Sequence, residues 1–360
     1  MNRALVGADA GSGLGAEPDP AAGSGRHGLL VRRWADANAT PSVEPGLLGG
    51  LIYGLASAES DFADVGLGVL HADFSQTPKP VDAWCSAGPF TEGQCGAVRW
   101  RHNGHWLWGV ADLPDAPGEL LAATVQSAYG DVFATLRQTG VAHLQRLWNY
   151  VPHIHDLDAG QERYRHFNRG RQQAFLAAGQ AAFDGAPAAC ALGTPGGLLR
   201  LRFLAGRQAP VALENPRQVS AYRYPASYGP SSPTFSRAAL VKASAGQVLL
   251  LISGTASITG HASQHVGDLP AQIDETLTNL QALLDTAHTR CTARFTLAAL
   301  RCTAYLRHAE QAPVLRAHLA RRLGADSPAL QQLILLQAEV CRPDLLVEIE
   351  AYALAAGDLT

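Results

Sequence analysis

Two tight turns, Asn103-Gly104 and Ala245-Gly246, each join apolar segments of strand length, and each hairpin leads into a long amphipathic helix. A chain that folds hairpins before its long helices builds mixed or antiparallel sheets covered by helices. The pattern excludes a doubly wound parallel fold, which needs strand-helix-strand units. The first cycle has a strand over Leu29 to Trp34, another over Val65 to Phe74, and the hairpin Val98 to Val110. A helix over Gly118 to Arg137 follows, with Leu121, Val125, Val132 and Leu136 at helical spacing and Gly140 as its stop. A strand over His143 to Val151 and a helix over Gln161 to Gln180 complete the cycle.

The second cycle has the same rhythm. A strand over Leu198 to Ala205 precedes the hairpin of Ala238 to Ser244 with Gln247 to Ser253. The helix Pro270 to Ala287 carries Ile273, Leu277, Leu280 and Leu284 on one face, with Asp268 placed to cap it. Then come a strand over Arg301 to Arg307, a helix over Val314 to Leu323, and strands over Leu330 to Ala338 and Leu345 to Ala353. The two long helices start about 150 residues apart. The expected architecture is α+β, with a flexible tail over 1–28 and two domains, 29–187 and 188–360. Each domain is a mixed β-sheet packed by helices.

Composition narrows the function. With 47% hydrophobic and 16% charged residues, the chain can bury a large core. A net charge of −3 without any basic block excludes a nucleic-acid binder of the usual kind. The longest purely aliphatic run, Val248 to Ile252, excludes a membrane-spanning helix. The six cysteines form no Cys-x-x-Cys pair, which fits reduced thiols and a cytoplasmic protein. Met1 to Gly28 lack the apolar centre of a secretory signal. The Gly11 to Gly15 run follows no strand and lacks the Gly-Lys-Ser/Thr ending of a phosphate loop.

Several constellations bear on chemistry. His153 and His155 fall on one face of the expected strand end beside Asp156, but zinc needs a third and usually a fourth ligand. Ser253 lacks the flanking glycines of a nucleophile elbow. Residues 215–237 hold three tyrosines, three arginines and four prolines, as expected of a stiff ligand-facing loop or of one packed over a domain junction. Glu348 and Glu350 share one side of the last strand by period two, with Val347 and Ile349 turned to the core. The pair is either a solvated face or an acid with a raised pKa.

Four strings give these candidates a context. Leu147-Trp-Asn-Tyr-Val-Pro-His-Ile154, Glu162-Arg-Tyr-Arg-His-Phe-Asn-Arg-Gly-Arg171, Ala221 to Arg237, and Cys341-Arg-Pro-Asp-Leu-Leu-Val-Glu-Ile-Glu350 together resemble the chorismatase family, also labelled pteridine-dependent deoxygenases. The resemblance runs from about residue 29 to the C-terminus. It implies two RidA/YjgF-like domains, the second catalytic, and chorismate as the small-molecule substrate. It implies release of pyruvate and formation of 3-hydroxybenzoate, with or without 4-hydroxybenzoate, and no cofactor or metal. Glu348 matches the family's acid, which protonates the enolpyruvyl methylene. Cys341 and Gly254 match positions of the aromatic-product branches, in which an arene-oxide route is expected. Arg237 and Arg307 are the expected carboxylate anchors, with Arg163 and Arg223 in reserve, while Tyr224 and Tyr228 bind or stack the ring. RidA relatives form homotrimers, and a two-domain chain can supply some of those contacts internally. A chorismate hydrolase yielding a dihydroxycyclohexadiene carboxylate, a RidA-type imine hydrolase, a non-catalytic binder and a pterin-dependent oxygen enzyme are the alternatives.

Overall fold

The computed structural model describes residues 27–34, 46–53, 63–64 and 80–360. The expected strand over Val65 to Phe74 and all but the last two residues of the expected tail lie outside them. A four-stranded sheet opens the chain, made of β1 (Leu29–Trp34), β2 (Leu47–Ile52), β3 (Ala63–Asp64) and β4 (Val81–Ser86) in the order β1-β4-β2-β3.

The first six-stranded sheet follows. Its strands are β5 (Thr91–Cys95), β6 (Val98–His102), β7 (Trp106–Leu113), β8 (His143–Pro152), β11 (Ala188–Thr194) and β12 (Leu199–Gly206). Helix α1 (Gly118–Thr139) follows β7, and α2 (Arg163–Ala177) lies between β8 and β11. A short ribbon, β9 (Leu157–Asp158) with β10 (Gln161–Glu162), leads into α2. The second six-stranded sheet has β13 (Val211–Leu213), β14 (Ala238–Ser244), β15 (Gln247–Ala256), β18 (Arg301–Leu306), β19 (Ile334–Gln337) and β20 (Val347–Ala356). A ribbon, β16 (Ile258–Thr259) with β17 (Ala262–Ser263), precedes α3 (Leu269–His288); α4 (Ala312–Leu323) and α5 (Pro328–Gln331) precede β19.

The two large sheets repeat one topology. The first runs β5-β6-β7-β12-β8-β11 and the second β13-β14-β15-β20-β18-β19. In each, a hairpin leads to a long helix, the last strand inserts at the centre, and one edge strand runs parallel to its neighbour. The α+β reading with two mixed sheets holds. A division at 187/188, however, would cut β11 and β12 from the sheet that they complete. The first sheet ends at Gly206, and the second begins at Val211.

Side-chain periodicity explains the layering. Leu121, Val125, Val132 and Leu136 of α1 pack with α2 on one face of the first sheet. Gly170 brings α2 onto α1, because a Cβ there would overlap the Ala122 carbonyl. Ile273, Leu277, Leu280 and Leu284 of α3 pack on the outer face of the second sheet, and Asp268 caps α3 by accepting from the Ala271 amide at 3.1 Å. The other faces of both sheets turn toward each other and bury Trp148, Tyr150, Leu249, Leu251, Tyr305 and Tyr352 in a shared layer. The four-stranded sheet closes this layer with Trp84, whose ring lies 5.8 Å from both Trp148 and Tyr352.

Two sequence expectations change. Leu330 to Ala338 is not one strand. Ser327 accepts from the Leu330 amide, and Pro328 sits in the first turn, so α5 forms before β19 begins at Ile334. His153 leaves the strand for a turn, with φ 52°.

Buried charge ties the sheets together. Arg33 of β1 forks onto Asp82 of β4 at 2.7 and 2.6 Å, and Tyr53 and Tyr352 both donate to Asp82 at 2.9 Å. Arg33 also donates to the Cys302 carbonyl of β18 at 2.7 Å. Asp82→Ala would strand this buried guanidinium, so it should cost about 3–5 kcal/mol. The check is the midpoint of denaturant unfolding, and an unchanged midpoint would show that the network contributes nothing net.

Candidate functional site

One end of the shared layer opens into a cavity of about 620 Å³ between α2 and β11 on one side and β15, β20 and the 224–237 loop on the other. Glu348 enters it from the centre of the second sheet. β20 alternates as expected: Val347, Ile349 and Ala351 pack under α3, while Glu348 and Glu350 point into the shared layer. Both acids are buried, at 4% and 5% exposure, so the solvated-face alternative is excluded.

The two acids meet burial differently. Glu350 forms an ion pair with Arg146 of β8 and accepts from Tyr305 at 2.9 Å. Glu348 has no such ion pair among the described residues. Burial pushes its carboxyl up to about 8, the Glu350 charge adds to the shift, and Arg146 and Arg237 oppose it. Glu348 is therefore protonated at neutral pH, in a wall that faces open space.

A bulge makes room for it. β15 shifts register against β20 between Ile252 and Thr255, which sets Ser253 and Gly254 in the irregular step. A Cβ on Gly254 would overlap the Glu348 carboxyl. The Ser253 hydroxyl has a structural role, donating to the Ser236 carbonyl at 2.6 Å and accepting from the Ala189 amide at 2.9 Å.

The tyrosine-rich loop forms the opposite wall. Tyr224 and Tyr228 line the cavity with ring centroids 5.4 Å apart. Arg237 donates to the Val219 carbonyl at 2.9 Å and to the Tyr224 hydroxyl at 2.7 Å, and its buried Nε has no protein partner. Arg342 lies 4.3 Å from the Tyr228 ring centroid, and its Nη2 is also buried without a protein partner. Cys341 lines the same cavity, and burial, followed by the Glu348 charge, pushes its thiol up to about 12. It is a neutral thiol and not a thiolate.

Two expected anchors lie elsewhere. Arg163 is tied to Asp115 and Asp158 and donates to the Pro152 carbonyl at 2.9 Å, so it clamps the turn ahead of α2. Arg307 pairs with Glu339 and donates to the carbonyls of Leu345 at 2.9 Å and Arg342 at 2.8 Å. It shapes the Cys341 loop from behind. Arg223, the other reserve, does not line the cavity either. The histidine pair does not form a metal site: His155 instead bridges Glu162 and the Val340 carbonyl, both at 2.6 Å, and no group of metal-ligating side chains occurs among the described residues.

Arg171 is a cavity-lining arginine that sequence reasoning did not single out. It is 1% exposed, lines the cavity from α2 and reaches Asn168 at 3.3 Å, but its Nε and Nη1 have no protein partner. No carboxylate pairs with it among the described residues. Tyr164, Asn168 and Arg171 follow one another at i, i+4 and i+7 on the cavity side of α2, a spacing that could have singled them out. Cys190 of β11 also lines the cavity, with its thiol pKa raised by burial and then by Glu350.

Similarity to known proteins extends across most of the chain. Residues 82–205 match the family described as Chorismatase FkbO/Hyg5-like, N-terminal. A 3-hydroxybenzoate synthase of Streptomyces hygroscopicus is 33% identical over 327 residues, covering 87% of this chain and 93% of the relative. A chorismatase of Streptomyces rapamycinicus is 35% identical over 290 residues, covering 78% of this chain and 84% of that protein. A chorismatase crystal structure superposes with a TM-score of 0.78 at 28% identity, over 91% of this chain and 99% of the other. With the sequence likeness and the fold running together over nearly the whole chain, the protein belongs to the chorismatase family.

Proposed function

We propose that this protein converts chorismate to pyruvate and 3-hydroxybenzoate, with or without the 4-isomer. The observation that carries the proposal is Glu348, buried and without an ion pair among the described residues, in the wall of a cavity that Arg171, Arg237 and Arg342 also line. Chorismate brings two carboxylates and an enol ether that needs a proton. A buried guanidinium with no acid beside it gains most from such a ligand, because each unmade hydrogen bond is costly inside a protein. Tyr224 and Tyr228 offer flat walls for the ring.

In the proposed sequence, Glu348 gives its proton to the enolpyruvyl methylene carbon. The ether oxygen becomes electron-poor, and the neighbouring ring hydroxyl displaces it, so that the ring–ether bond breaks as a new ring–oxygen bond forms. Pyruvate leaves with the former ether oxygen. The hydroxyl proton passes to the Glu348 carboxylate, which restores the acid. The resulting arene oxide opens and loses a ring proton to give the phenol. Cys341, as a neutral thiol, gives its proton to the opening oxygen and takes the ring proton in return, which restores the thiol. Atoms balance without water: chorismate equals hydroxybenzoate plus pyruvate. Gly254 matters because the position of the Glu348 carboxyl depends on the missing side chain there.

Variants, pH and product analysis test this reading. Glu348→Gln keeps the shape and removes the acid, so pyruvate release should fall by roughly a hundredfold or more with folding intact. In the native enzyme kcat/KM should stay level at lower pH and fall as pH rises through about 8, because the active form is the protonated acid. A level profile to pH 9 would remove Glu348 from that role. Arg171→Met should raise KM for chorismate by about ten- to a hundredfold. Gly254→Ala and Cys341→Ala should change the product mixture more than they change pyruvate release, as read by liquid chromatography. A non-aromatic diol from the native enzyme would assign it to the hydrolytic branch.

A further inference from the structure

A second cavity, of about 510 Å³, lies away from Glu348. β14 runs between the two: Arg237, just before it, lines the first cavity, and Lys242 to Ser244 at its far end line the second. The end of β12 contributes Arg207, the β6–β7 turn contributes His105 and Trp106, and the stretch before β1 contributes His27. No Asp or Glu lines this cavity, and neither Arg207 nor Lys242 forms an ion pair among the described residues. The His27 and His105 rings stack at 3.9 Å with 13° between their planes, and the Trp106 indole holds them in place by donating to the His27 carbonyl at 2.8 Å.

This grouping concentrates positive charge on one concave surface. Two cations and two stacked imidazoles share it, and no counter-charge lines it among the described residues. Burial, followed by His27 and Arg207, holds the His105 pKa below its ordinary value, as expected where positive charge is crowded. A negatively charged ligand would relieve all of these contacts together. The volume fits a small molecule, and the flat imidazole stack beside Trp106 fits a planar body.

We infer that this second cavity binds a small oxyanion-bearing ligand, a carboxylate or a phosphate, whose charged end lies between Arg207 and Lys242 with its body against His105. The site is independent of the chorismate reading, since it shares no residue with the first cavity.

The test is calorimetric titration of inorganic phosphate and, separately, of benzoate into the full-length protein and into an Arg207→Ser/Lys242→Ser double variant. Both residues are exposed, so the variant should fold. The expected result is a binding event in the native protein that weakens by about tenfold or more in the variant. Loss confined to benzoate identifies a carboxylate ligand, and loss confined to phosphate a phosphorylated one. Identical isotherms for the two proteins, or no binding of either probe to the native one, would overturn the inference.

Discussion

Two carboxylates lie buried on one face of one strand, and much of the molecule is arranged to make that tolerable. A lone ionised carboxylate in an apolar layer is so costly that it must be paired or neutralised. β20 uses both solutions two residues apart. Glu350 keeps its charge against Arg146, which comes from the other large sheet, and Tyr305 satisfies its second oxygen. Glu348 keeps a proton instead, and the Glu350 charge helps hold it there. The two members of the ion pair that joins the sheets act on Glu348 in opposite directions, the Glu350 charge raising its pKa and Arg146 lowering it, so burial is the main cause of the shift. A carboxyl raised by burial and a carboxylate held in an ion pair thus stand two residues apart on one strand.

The same logic extends to the four-stranded sheet. Asp82 gathers Arg33, Tyr53 and Tyr352, and Tyr352 lies on β20 two residues beyond Glu350. Glu348, Glu350 and Tyr352 thus share one face of one strand, and the last two are fixed by polar partners on the two other sheets. A one-residue slip of β20 would turn all three toward α3 and put Val347 and Ile349 among charges. The topology repeats, but the chemistry does not. β12, the counterpart of β20, carries Arg200 and Arg202 and no carboxylate.

Much of this is legible in the chain because it rests on short-range pattern. The hairpin turns, the apolar stripes of α1 and α3, the Asp268 cap and the shared side of Glu348 and Glu350 all follow from spacing. Among the strands that spacing does not reveal, β2, β4 and β11 have the compositions Leu-Leu-Gly-Gly-Leu-Ile, Val-Asp-Ala-Trp-Cys-Ser and Ala-Ala-Cys-Ala-Leu-Gly-Thr. They lack the β-branched alternation that marks a strand, and they form because tertiary pairing overrides propensity. Arginine roles are the least legible. Arg163, Arg171 and Arg307 are chemically alike in the sequence. What separates them is distant: Arg163 meets Asp115 from before α1, Arg307 meets Glu339 and loop carbonyls, and Arg171 meets no acid among the described residues. These differences in partner lie far apart in the chain, and no local pattern records them.

The bulge at Ser253 and Gly254 shows how structure and site depend on one another. A regular β15 would leave no irregular step beside Glu348. With the extra residue, the Ser253 hydroxyl reaches both Ala189 of β11 and Ser236 ahead of β14, and so fastens the edge of the first sheet to the second at the cavity wall. Gly254 then leaves the space that the Glu348 carboxyl occupies. The fastening brings Ala189, Cys190 and Ala191 to the cavity, and the vacancy lets the acid face it. Ser253 shares the fastening with the backbone, since the Ser236 amide donates to the Pro187 carbonyl at 3.1 Å and Gly193 pairs with Glu339, while a side chain at 254 would overlap the acid in its present position. One irregular step in one strand therefore shapes the cavity wall and sets the position of the Glu348 carboxyl.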